Sequence, residues 1–178
     1  MTDRGIVLLA LARGSLLEAL RLGQAGEHRE PWLEEPGACF VTLRSRGQLR
    51  GCVGSVRAYR PLREDVWSNA RAAAFSDTRF PRLVADEMPD ITVEVSLLSA
   101  PEPVLVTCED DACRALAPAD GVIFEWGDCR STFLPQVWEQ LPDPRDFFAH
   151  LKHKAGLPPD FWAPDVRLWR YGVTKWEE

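Results

Sequence analysis

QLRGCVGSV, residues 48–56, is the stretch on which the reading of this chain turns. Upstream, ACFVTL (38–43) is rich in β-branched and aromatic residues and reads as a strand. RSRGQ (44–48) is a turn, and LRGCVGSV returns, so the two runs predict a hairpin. Two glycines in the returning strand weaken it, because glycine adds backbone entropy and offers no side chain to pack. Strict alternation puts Leu49, Gly51 and Val53 on one face and Arg50, Cys52 and Gly54 on the other. On that pattern Arg50 neighbours Cys52, and a fixed guanidinium beside a sulfur favours the thiolate. Gly54 then leaves room beside the sulfur, and Gly51 permits a bulge that re-aims the thiol. The plain alternative is a buried cysteine acting as a small apolar residue, with glycines marking close backbone packing.

Outward from the hairpin, the pattern is mixed. A helix is predicted over Arg4–Leu22, with Leu9, Ala12, Leu16 and Leu20 at helical spacing. Its IVLLALA segment (6–12) ends in Ala-x-Ala, but Asp3 offsets Arg4 and the amphipathic pattern runs on, so it reads as a folded helix rather than an export signal. Residues 23–37 form a loop rich in Gly, Pro and charge. Pro61 opens a second helix with Glu64 and Asp65 near its N-terminus, and Pro81 stops it after FSDTRFP (75–81). DITVEVSLL (90–98) alternates Ile91, Val93, Val95 and Leu97 against Thr92, Glu94, Ser96 and Leu98, a clear strand. Further along come a short helix ending near Leu116 and strands VIFEW (122–126) and CRSTFLP (129–135). Asp143-Pro144 caps a helix that Gly156 and Leu157 end, and VRLWRYGV (166–173) is a final strand. Strands and helices come in clusters, so the class is α+β. The 178 residues, 46% hydrophobic, form one domain, divisible into lobes of about 1–100 and 101–178.

Charge and cysteine usage narrow the classes. A net charge of −6 disfavours a general nucleic-acid binder. Yet Pro36 to Arg63 contains no acid and six arginines: Arg44, Arg46, Arg50, Arg57, Arg60 and Arg63. Cys39, Cys52, Cys108, Cys113 and Cys129 lack regular spacing and read as reduced thiols of a cytoplasmic protein. No membrane-spanning run, cofactor fingerprint or SAM-type cysteine triplet is present, and no cofactor is expected.

The signature and its neighbours carry a family resemblance. LRGCVGS (49–55) resembles the LRGCIG-type signature of the AMMECR1 family. GACFVTL, RPLREDVWSNARAAAFSDTRF, TVEVSLLS, FLPQVW and FFAHLKHKAGL resemble further blocks of that family in order, across the whole chain. The subgroup it most resembles is component A of the AmmeMemoRadiSam system. The resemblance implies a compact α+β fold of two related lobes, a site at the signature, and a MEMO-like protein and a radical SAM protein as partners; it names no reaction. Cys129-Arg130-Ser131 departs from the plainer residues relatives often carry there.

Other candidates follow from position. Asp77 and Arg79 flank the turn after the second helix, either as a pair lining a cleft or as a salt bridge holding the turn. Glu94 and Ser96 share a strand face. Glu94 is a base candidate if that face looks into a cleft, and an ordinary polar half-strand residue if it looks at solvent. His150 and His153 have helical spacing that suits a metal, but Lys152 and Lys154 favour a solvated face, and no metal is expected. Trp162, Trp169 and Trp176 anchor the last strand or face a partner.

Three functions are carried forward. The first is an accessory or binding component whose glycine-flanked strand, with Gly51, Gly54, Asp77, Arg79 and Ser96, cradles a small anionic ligand beside Cys52. The second is an enzyme with Cys52 as nucleophile or covalent carrier, Arg50 as activator and Glu94 moving protons. The third is a nucleic-acid or translation-related factor, supported only by the clustered arginines.

Overall fold

The computed structural model describes residues 3–178. It divides the chain into two compact units, one of residues 1–98 with 174–178 and one of residues 99–173.

In the first unit, α1 (Arg4–Ala19) is capped by Asp3, whose side chain accepts from Gly5 N at 2.8 Å. Its apolar stripe of Val7, Leu8, Leu11, Ala12 and Leu16 is buried. The helix stops short of the expected Leu22 because Arg21 turns left-handed at φ 58°. Arg21 N and Leu22 N then bond back to Glu18 O and Leu17 O, closing the last carbonyls in a Schellman motif.

Strand β1 (Pro36–Ser45) pairs antiparallel with β2 (Gln48–Gly54) through a two-residue loop. Arg46 and Gly47 both have positive φ, 51° and 80°, as a type I′ turn requires. A short β3 (Arg60–Pro61) leads into α2 (Leu62–Phe75), and β4 (Ile91–Leu98) pairs with the other side of β1. The sheet order is β2-β1-β4-β9, where β9 (Val173–Glu177) ends the chain. Helices α1 and α2 pack Leu8, Leu11, Val66 and Ala70 against Cys39, Val41, Leu43, Val93 and Val95 on one face of this sheet. Trp176 packs on this core and closes over Gly5, where a Cβ would lie 2.2 Å from the indole. One C-terminal tryptophan is thus an anchor.

The second unit has a sheet of order β5-β8-β6-β7, from β5 (Glu102–Val104), β6 (Gly121–Trp126), β7 (Cys129–Phe133) and β8 (Arg167–Tyr171). Helices α3 (Glu109–Ala115) and α4 (Pro144–Lys154) supply Ala112, Phe147, Phe148 and Leu151 to a core shared with Phe124 and Leu168. Asp143 caps α4 by accepting from Arg145 N and Asp146 N, and Gly156 ends it at φ 84°, as expected. His150, His153 and Lys154 lie on an exposed face as expected, but Lys152 departs from it: it is fully buried, with Nζ 2.8 Å from Glu109 Oε1. Where one final strand was expected, Gly172 separates β8 from β9, and the two strands join different sheets. No helix among the described residues is long and apolar enough to cross a membrane.

Candidate functional site

The position of Cys52 is decided by one extra residue. Ser45 pairs with Gln48 and Arg44 with Leu49, but then Leu43 pairs with Gly51 and Thr42 with Cys52. Arg50 is left opposite no residue, which makes a β-bulge. Without it, the same turn would pair Cys52 with Val41 in the core; a one-residue slip exchanges the faces. The bulge therefore puts Cys52 on the face opposite the helices.

That face has a polar row. Thr42 on β1 stands between Cys52 on β2 and Glu94 on β4, in register with both. Thr42 Oγ1 donates to Cys52 Sγ at 3.3 Å. Thr42 and Glu94 are each only 6% exposed, and Cys52 is half-buried. Glu94 therefore does not lie on a solvated half-strand. Its Oε2 has Lys175 Nζ at 2.6 Å and Arg44 Nε at 3.7 Å, ion pairs outside hydrogen-bond geometry. Ser96 lies one step along the same face, paired with Phe40.

The backbone of Cys52 is held as firmly as its thiol. Strand β2 is a sheet edge, so its outward peptide groups need other partners. Asp77 Oδ2 accepts from Cys52 N at 2.9 Å, and Arg79 Nη2 donates to Cys52 O at 3.3 Å. Arg79 also grips Asp77 through Nε at 2.9 Å and Nη2 at 2.7 Å. The pair thus stands in for one peptide of a missing strand. The Arg79 guanidinium first, then the Cys52 amide, holds the Asp77 carboxyl well below the usual carboxylate range. The salt bridge expected at this turn is present, and it also fixes the signature strand.

Three expectations about the signature need correction. Arg50 does not follow Cys52 by alternation; the bulge interrupts it, and the guanidinium makes a two-pronged pair with Glu87 at 2.8 and 3.0 Å. The bulge expected at Gly51 is present beside it, but Gly51 itself faces the helices, where a Cβ would lie 2.1 Å from Ala73 O, so it serves the close approach of α2 rather than a ligand. The space over Gly54 is filled by Phe40, whose ring a Cβ would meet at 2.3 Å. The acid-free segment is also not a positive patch in space. Arg44, Arg46, Arg50, Arg60 and Arg63 each pair with a carboxylate from elsewhere: Glu94, Asp90, Glu87, Asp65 and Glu34.

Sequence reasoning missed Thr42, Lys175 and a buried network behind the signature. Asp65, fully buried, accepts from Cys39 N, Ser55 Oγ, Arg60 Nε and Asn69 Nδ2 at 2.7–3.0 Å. Asn69 also donates to Cys39 O at 3.0 Å, so α2 locks the strand where the signature ends. An aspartate and an asparagine four apart on an otherwise apolar helix face were the available signal. Cys39, on the helix face, is fully buried, and burial chiefly, then Asp65, pushes its thiol well above its ordinary value. His150 is exposed, with Nδ1 2.9 Å from Asp146 O of its own helix.

Comparison with known proteins gives the family. The AMMECR1 family model matches residues 9–176. The chain belongs to the AMMECR1 family. An AMMECR1 relative from Methanothermobacter thermautotrophicus is 37% identical, aligned over 99% of this chain and 95% of its own length. One from Saccharolobus solfataricus is 38% identical over 94% of this chain and 78% of its own. The crystal structure of an uncharacterized protein from Pyrococcus horikoshii matches with a TM-score of 0.80 at 34% identity, over 98% of this chain and 91% of that one. The mixed α and β architecture is therefore the AMMECR1 fold.

Proposed function

We propose that this AMMECR1-domain protein is an accessory, ligand-binding component whose site is centred on Cys52, acting with a MEMO-like protein and a radical SAM protein. The observation that carries this reading is the double hold on Cys52. Its thiol accepts from Thr42, and both of its peptide groups are held by the Asp77–Arg79 pair. A residue needed only for bulk would not require such support. Arg79, more than half exposed, and Lys175, half exposed, are the cations available to a small anionic ligand. The MEMO-like and radical SAM partners rest on family resemblance.

A second reading, an enzyme with Cys52 as nucleophile or covalent carrier, draws support from the same row. A hydroxyl in register between a thiol and a buried carboxylate suits proton transfer. Arg50, the expected activator, has its guanidinium paired with Glu87.

The test is assembly. The purified chain is mixed with the MEMO-like and radical SAM proteins of the same genome and followed by size-exclusion chromatography, before and after carboxamidomethylation of Cys52. A complex that forms with the free thiol and is lost on modification supports the accessory reading. No complex, or one indifferent to the modification, contradicts it.

A further inference from the structure

Helix α2 carries a second feature that the Cys52 site does not use. Its inner face is apolar and buried, from Leu62 and Val66 to Ala73 and Ala74. Its other side presents Trp67, Arg71 and Phe75, spaced four apart, with Ser68 and Ser76 beside them. Arg82, from the segment after the helix, lies over the Phe75 ring at 5.4 Å. Together these line a groove of about 480 Å³ that contains no carboxylate. That is within the size of small-molecule sites.

The charge in this groove is unusual for the chain. Acids outnumber bases, 27 to 21, and nearby arginines Arg50, Arg60, Arg63 and Arg79 all have carboxylate partners. Arg71 and Arg82 have none among the described residues. Two guanidiniums left together without an acid repel each other, and a bound anion removes that cost. Guanidinium forks match phosphate oxygens in pairs, and hydroxyls such as Ser68 and Ser76 complete such a cradle. The half-buried Trp67 offers a flat face for a ring.

We infer that this groove binds a small phosphate-bearing ligand with a planar ring, of the mononucleotide class. Arg71 and Arg82 hold the phosphate, and Trp67 stacks on the ring. The site is independent of Cys52 and of the accessory reading.

The experiment is calorimetric titration of the full chain with AMP, adenosine and inorganic phosphate. AMP is expected to saturate with a Kd of about 1 mM or below. Adenosine and phosphate are each expected to bind at least about tenfold more weakly, because each supplies half the recognition. Arg71→Ala and Arg82→Ala are expected to weaken AMP at least about tenfold. Their unfolding midpoints should stay close to the parent's, since neither arginine makes an ion pair among the described residues and the Arg82 contact with Phe75 is a weak surface one. Failure of AMP to saturate, or an AMP affinity in both variants unchanged from the parent, overturns the inference. So does adenosine binding as tightly as AMP, which removes the phosphate from the recognition. A single-stranded oligonucleotide binding far more tightly than AMP, with the same loss in Arg71→Ala, overturns the small-ligand assignment in favour of nucleic acid.

Discussion

The first sheet has two faces made by the same strands, and they are built to different ends. Leu43 and Thr42 are chain neighbours on β1; one is fully buried among helix residues, the other bonds a thiol in a polar row. Cys39 and Cys52 repeat the contrast in one residue type. Cys39 lies under α2, sealed with Asp65 and Asn69 on its peptide groups. Cys52 lies half-buried on the opposite face, beside Thr42. The helix face is packed with apolar side chains, and the polar face holds a hydroxyl, a half-buried thiol and a carboxylate in one row. A single bulge at Arg50 decides which face receives the signature thiol.

That contrast can be broken by substitution. Leu43→Ala should lower stability by about 2–5 kcal/mol in urea denaturation, because a fully buried side chain leaves a cavity. Its neighbour Thr42→Val keeps the volume and loses one hydrogen bond to sulfur, so it should cost only about 1 kcal/mol. Equal costs at the two positions would erase the distinction between the faces. Gly51→Ala should fall between them, at about 1–3 kcal/mol, because the new Cβ meets a helix carbonyl that cannot rotate away.

Asp77 sharpens the comparison through pH. Its carboxyl is held below its ordinary value of 3.8, so it contributes stability at neutral pH that begins to be lost as pH falls below that ordinary value and is gone once pH has fallen through the lowered folded value. Asp77→Asn should therefore be less stable than the parent at pH 7, and the gap should narrow below about pH 4. In hydrogen exchange at neutral pH, the Cys52 amide should lose protection in this variant, whereas the Cys39 amide, held by Asp65, should keep it. A gap constant with pH, or equal loss at both amides, would contradict the clamp.

Local chemistry made much of the fold legible. The strands around the turn, the Asp143 cap, the Gly156 stop and the burial of Ile91, Val93 and Val95 all follow from periodicity and capping residues. What escaped is set by partners far away in the chain. Nothing near Arg50 in sequence indicates that Glu87 will take its guanidinium, or that the acid-free segment will be neutralised by Glu34, Asp65, Asp90 and Glu94. The bulge was legible, but its position was not. Gly51 hinted at one, but only the register after the Arg46-Gly47 turn reveals that the extra residue is Arg50 and that Cys52 changes face. Thr42 was hidden with it, since its pairing with Cys52 depends on that count.

The bulge delivers Cys52 to the polar face while Cys39 stays sealed in the core. The most direct test labels the native protein with iodoacetamide at neutral pH and follows Cys39 and Cys52 separately by peptide mass spectrometry, with exposed Cys108 as the reference. The predicted result is modification of Cys52 in the folded protein, with Cys39 labelled only once urea unfolds the chain. Cys52 as protected as Cys39, released only by unfolding, would place it in the core and contradict the account.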